Sequence, residues 1–68
     1  MHEGTIISLQ LGRGFGFIFE QTGTPDIFFH ANELVGLEFN EKLKERRVVF
    51  DVIDAPKGQR AVRVRAAE

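Results

Sequence analysis

Sixty-eight residues, a formal net charge of -1 and no cysteine leave room for one domain held by a single small apolar core, without disulfides or thiolate metal sites. No apolar run approaches the roughly 20 residues of a membrane span, and the opening Met-His-Glu-Gly-Thr has neither the basic nor the apolar region of a secretory signal. The expectation is one soluble, cytoplasmic, monomeric domain over residues 1–68.

The charge is unevenly spread. Residues 1–41 hold one basic residue, Arg13, against six acids, whereas residues 42–68 hold eight basic residues against four acids. A polyanion would therefore meet its counter-charges mostly in the C-terminal third, although scattered charges also simply solvate a surface.

In chain order, five segments read as strands: Thr5 to Leu11, rich in apolar and β-branched residues; Gly14 to Glu20; Asp26 to His30; Arg47 to Ile53; and Ala61 to Arg65. Turn chemistry fills three gaps, at Gly12-Arg13-Gly14, Thr22-Gly23-Thr24-Pro25 and Ala55-Pro56-Lys57-Gly58. The long gap from Ala31 to Arg46 has short helical pieces at most, near Asn32 to Leu34 and Glu41 to Glu45. Five short strands with one long connection after the third predict an all-β, five-stranded antiparallel Greek-key barrel of the oligonucleotide-binding kind, with an SH3-like barrel as the structural rival.

Alternation assigns the faces, since neighbouring side chains on a strand point to opposite sides. Val48, Phe50 and Val52 share the core face of the fourth strand, Val62 and Val64 that of the fifth, and Ile27 and Phe29 that of the third. Phe28 and His30 then point outward. Gly14-Phe15-Gly16-Phe17-Ile18 is a poor ordinary strand, because interior glycines weaken it. Glycine on the inner side lets another strand approach closely, and Phe15 and Phe17 point outward roughly 6.6 Å apart, each able to stack a different base. Seven phenylalanines in 68 residues are more than so small a barrel can bury. His30 has a second reading as a cap on the strand end, and Phe19 either extends the outer patch or folds under the strand end.

Arg13-Gly14-Phe15-Gly16-Phe17-Ile18 resembles the first ribonucleoprotein motif of cold-shock domains, Lys-Gly-Phe-Gly-Phe-Ile, with Arg for Lys. Asp26-Ile27-Phe28-Phe29-His30 resembles their second, Asp-Val-Phe-Val-His. Gly4-Thr5-Ile6, Phe39, and Pro56-Lys57-Gly58 with Ala61 and Val64 extend the resemblance from Gly4 to Val64. It implies a module for single-stranded RNA or DNA, possessing no cofactor, in which bases stack on Phe15, Phe17, Phe28, His30 and Phe39 and cations at the rim hold phosphates. By position the phosphate role passes to Arg13 and Lys57; Arg60 and Arg63 join them on charge alone. Loosening of RNA structure, as a chaperone, is implied too.

The chain also departs from the family. Ile7-Ser8-Leu9 stands where the family has Lys-Trp-Phe, Ala31 where it has Phe after the histidine, and Glu45 runs into Arg46 and Arg47 where it has a turn glycine. At roughly 1–3 kcal/mol per stacked base, two missing aromatics predict binding weaker by about 2–6 kcal/mol than on a full platform.

Two histidines, one serine and no cysteine offer no constellation for acid–base, nucleophilic or metal chemistry. Gly12, Gly14 and Gly16 are not a dinucleotide fingerprint, the third glycine coming one residue early. The serious rival to nucleic-acid binding is a cold-shock-like barrel turned to protein docking through Phe15, Phe17 and Phe28.

Overall fold

The computed structural model describes residues 2–20 and 26–67; the turn expected at Thr22-Gly23-Thr24-Pro25 lies outside the described residues. Five strands, β1 (His2–Gln10), β2 (Phe15–Glu20), β3 (Ile27–His30), β4 (Arg47–Ala55) and β5 (Gly58–Ala66), form a closed barrel in the order β1-β2-β3-β5-β4. The long connection holds only two single 3-10 turns, Ala31–Glu33 and Glu41–Leu43. Among the described residues no helix is long and apolar enough to cross a membrane.

The sheet is mixed, not wholly antiparallel as the sequence predicts. Four of its pairings are antiparallel, and β3 pairs with β5 in parallel, through Phe28 with Arg60 and Phe29 with Ala61. The cause is parity: five strands cannot alternate in direction all the way round a closed ring, so one neighbouring pair must run the same way. That seam falls beside Phe28.

β1 starts earlier than its apolar run suggests because residues His2 to Thr5 pair with β4 while Gly4 to Gln10 pair with β2. One long strand thus closes the barrel on both sides. His2 is held by its surroundings, its ring stacking on Phe50 at 5.8 Å and its Nδ1 meeting the carboxylate of Glu20, which is 6% exposed. The register slips between Ile6 and Ser8, leaving Ile7 as the extra, exposed residue of a bulge.

The core is Ile6, Ile18, Ile27, Phe29, Leu43, Val48, Phe50, Ala61 and Val64. It contains the inward residues expected on β3 and β4, with Val52 at its edge. On β5 the expectation that Val62 shares the face of Val64 fails. Asp51 pairs with Val62 and Val49 with Arg65, so two β5 residues oppose the single Phe50. Arg63 takes up the excess with a φ of 55°, and this bulge turns Ala61 and Val64 inward while Val62 stays half-buried.

Gly16 explains how Phe29 fits. A Cβ at this position would stand 2.6 Å from the Ser8 carbonyl oxygen and 2.8 Å from Cε1 of Phe29, so only a residue without a side chain lets that ring lie against β2. Gly14 serves a different purpose from the close approach predicted for it. Its φ of 77° turns the chain into β2, and its carbonyl accepts a 2.8 Å hydrogen bond from the Ala31 N–H.

Candidate nucleic-acid interface

The outer face of β2 and β3 is built by pairing. Phe15 lies opposite His30 and Phe17 opposite Phe28, so alternation on two short strands puts four rings on one surface. Three of them touch: Phe15 and Phe28 lie 5.4 Å apart and tilted by 34°, Phe15 meets Phe17 edge-on at 5.9 Å, and Phe17 meets Phe28 near edge-on at 6.1 Å. Such edge-to-face and tilted contacts suit the quadrupoles of the rings and fix their orientation. All three are half-buried, and none belongs to the core or to the side chains packed against it.

Register extends the surface on both sides. On β1, Gln10 pairs with Phe15 and Ser8 with Phe17. On β5, Arg60 pairs with Phe28 and, across β4, with Ile53. The row Ser8, Phe17, Phe28, Arg60, Ile53 therefore crosses the whole barrel. The Arg60 guanidinium lies over the Phe28 ring, 5.8 Å from its centroid, a cation–π contact. Its Nε is buried without a hydrogen-bond partner, leaving a donor in need of an acceptor. Arg60, Lys57, Pro56 and Phe28 line an open groove of about 530 Å³ between β3 and the β4–β5 hairpin.

His30 plays the capping part of its second reading. Its Nδ1 accepts a 3.1 Å hydrogen bond from the Asn32 N–H at the start of the first 3-10 turn. An N–H can only donate, so the neutral ring carries its proton on Nε2. The cap and the pairing with Phe15 hold the imidazole at the edge of the cluster, so capping and facing a ligand are compatible roles.

Not every expected site residue joins this surface. Phe39 packs against the core, its ring near edge-on to buried Phe29 at 6.3 Å, with no ring contact to Phe15, Phe17 or Phe28. Arg63 sits at the β5 bulge, its Nη1 3.7 Å from Oδ2 of Asp51 and its N–H donating to Glu33 over 3.5 Å. Arg13 is exposed in the turn ahead of Gly14. Phe15, Phe17, Phe28, His30, Lys57 and Arg60 are thus brought together, Phe39 packs on the core and Arg63 is engaged at the β5 bulge, and Arg13 lies exposed in the turn that leads into β2. The two positions that lack the family's stacking aromatics flank the cluster, Ser8 opposite Phe17 and Ala31 next to His30, both half-buried. Alternation alone places Phe19 on the outer face, and it is one of the most exposed apolar side chains of the barrel.

The profile of the 'Cold-shock' DNA-binding domain matches residues 2–67. "Probable cold shock protein A" of Mycolicibacterium smegmatis is 37% identical over 65 residues, 96% of this chain and 97% of that protein. The "Major cold shock protein" of Micrococcus luteus is 34% identical over 64 residues, 94% of this chain and 96% of that protein. Among solved structures, drosophila Unr CSD456 superposes with a TM-score of 0.77 at 29% identity, over 98% of this chain and 26% of that one.

Proposed function

The chain belongs to the cold-shock domain family, named for DNA binding, and on that premise we propose that it binds single-stranded RNA or DNA, without catalysis, by stacking bases on Phe15, Phe17, Phe28 and His30. The observation that carries the reading is the ring cluster itself, three phenylalanines in mutual contact on the outside of a barrel whose core is complete without them. Rings held in place by one another lose little further freedom when a base arrives. Arg60 and Lys57 in the adjoining groove supply donors for phosphate or base-edge oxygens, and Arg13 adds an exposed cation in the turn ahead of β2. A protein that holds unpaired strands also shifts the folding equilibrium of an RNA by mass action, so chaperoning follows from binding alone. The reading places this work in the cytoplasm, on a monomer.

The test is a titration of a labelled pyrimidine-rich strand against the parent, Phe17→Ala and Phe28→Ala at one salt concentration, repeated over a salt series. Each truncation should weaken binding by about 1–3 kcal/mol. With two or three phosphate contacts, log affinity should fall against log salt with a slope of about -1.4 to -2.1. Unchanged affinities would remove the stacking platform, and a slope steeper than about -4 would move the binding energy to a basic groove.

A further inference from the structure

The outer face of β2 carries three phenylalanines at alternate positions, and the ring cluster uses only the first two. The third, Phe19, is 46% exposed. It pairs with Thr5 of β1, and Thr5 pairs on its other side with Arg47 of β4. This gives a second cross-strand row, Phe19, Thr5, Arg47, on the side of the barrel away from β3 and β5. With Gly4 and Glu3 these residues line a groove of about 240 Å³, and Arg46 joins Arg47 in the groove beside it.

We infer that Phe19 is a further base-stacking site, and that Arg47 with Arg46 holds the phosphate of that nucleotide, so that a single strand crossing the aromatic cluster continues along β2 into this groove. The inference rests on the proposed function and lengthens its site. The occupant is the same strand because Phe19 continues the row of Phe15 and Phe17 on one strand and one face, roughly 6.6 Å beyond Phe17. The chemistry of the groove fits a nucleotide. A flat, exposed ring suits any base, and guanidinium forks suit phosphate oxygens. Arg47 is engaged by Glu3 at 2.7 Å, but both side chains are largely exposed, at 67% and 52%. An ion pair so exposed contributes little, and an arriving phosphate competes with Glu3 for the guanidinium. Glu3 thereby restrains this end of the path.

The opposed roles of Arg47 and Glu3 make the experiment discriminating. Labelled oligothymidines of about 4 and about 8 nucleotides, within the range an oligonucleotide-binding barrel covers, are titrated against the parent, Phe19→Ala, Phe19→Leu, Arg47→Gln, Glu3→Gln and, as control, Phe17→Ala. Thermal melts check that each variant is folded. Phe19→Ala should weaken the long strand by about 5-fold to 150-fold and leave the short one unchanged. Phe19→Leu, which keeps apolar area but not the flat ring, should lose nearly as much. Arg47→Gln should weaken the long strand and make its salt slope shallower by about 0.7, whereas Glu3→Gln should tighten it.

If Phe17→Ala loses affinity while Phe19→Ala binds the long strand like the parent, this inference is overturned and the proposed function stands. If neither substitution changes binding, the proposed function fails with it. Full retention by Phe19→Leu would also overturn the inference, because a side chain without a flat ring would then serve the strand equally well.

Discussion

Phe28 and Phe29 are consecutive in sequence and could hardly be more differently placed. Phe29 is fully buried, its ring filling the space that Gly16 leaves open on β2. Phe28 points the other way, against Phe15, Phe17 and the guanidinium of Arg60. The same side chain holds the fold in one place and faces the solvent beside a cation in the next, and the pleat of β3 alone decides which. Composition therefore carries no information about the role of a phenylalanine here; strand parity does.

The largest expected effect breaks that pair apart. Phe29→Ala and Phe50→Ala should each cost about 3–5 kcal/mol of stability, as buried ring truncations that leave cavities. Phe17→Ala and Phe28→Ala should change stability far less, and thermal or denaturant melts of the four variants measure the contrast. Equal losses across the set would mean that the outer rings are part of the core.

Gly16→Ala probes the seam between the two faces from the inside. Its methyl would press on the Ser8 carbonyl and on the Phe29 ring, and this overpacking should destabilise the fold by about 1–3 kcal/mol. A melt as stable as the parent's would show that β2 and β3 have slack between them. From the outside, Ser8→Trp adds a ring opposite Phe17, and Ala31→Phe adds one beside His30. Each should tighten binding to a short pyrimidine strand by about 1–3 kcal/mol without loss of stability. A folded double variant with parental affinity would speak for protein docking on this surface.

The smallest expected effect concerns the turn into β4. Glu45 holds a φ of 67°, a left-handed conformation costly for any residue with a Cβ. Its N–H still donates to the Ile6 carbonyl at 2.7 Å, and the Arg46 N–H donates to Leu43 at 3.0 Å. The turn thus closes on a left-handed residue that carries a side chain. Glu45→Gly should stabilise the protein by about 1 kcal/mol, read as a raised melting temperature.

The alternation of Phe15, Phe17, Phe28 and His30 makes the ring cluster legible in the sequence, because each strand is short, regular and bounded by clear turn residues. The two motifs tie those strands to a family over nearly the whole chain. Bulges defeat the same reasoning elsewhere. Nothing in Ala61-Val62-Arg63-Val64 announces that Arg63 breaks the period, so alternation puts Val62 on the wrong face, and charge alone does not foresee that Arg63 meets Asp51 and Glu33 at the bulge. Phe39 lies in a long connection with no strand period, where sequence position cannot tell a ring facing the platform from one packed on Phe29. The parallel seam between β3 and β5 follows from closing an odd-stranded ring, which local patterning does not encode. The path past Phe19 depends on Thr5 and Arg47, which pairing alone brings beside it.

Backbone amide NMR during titration with a short pyrimidine-rich DNA strand tests the central claim most directly. Shifts should concentrate on β2 and β3, from Phe15 to Phe17 and from Phe28 to His30, and spread to Arg60 and the Lys57 turn, while Leu43 and the Glu41–Leu43 turn stay still. No shifts at millimolar strand, or shifts centred away from β2 and β3, would contradict the assignment of the ring cluster as a nucleic-acid platform.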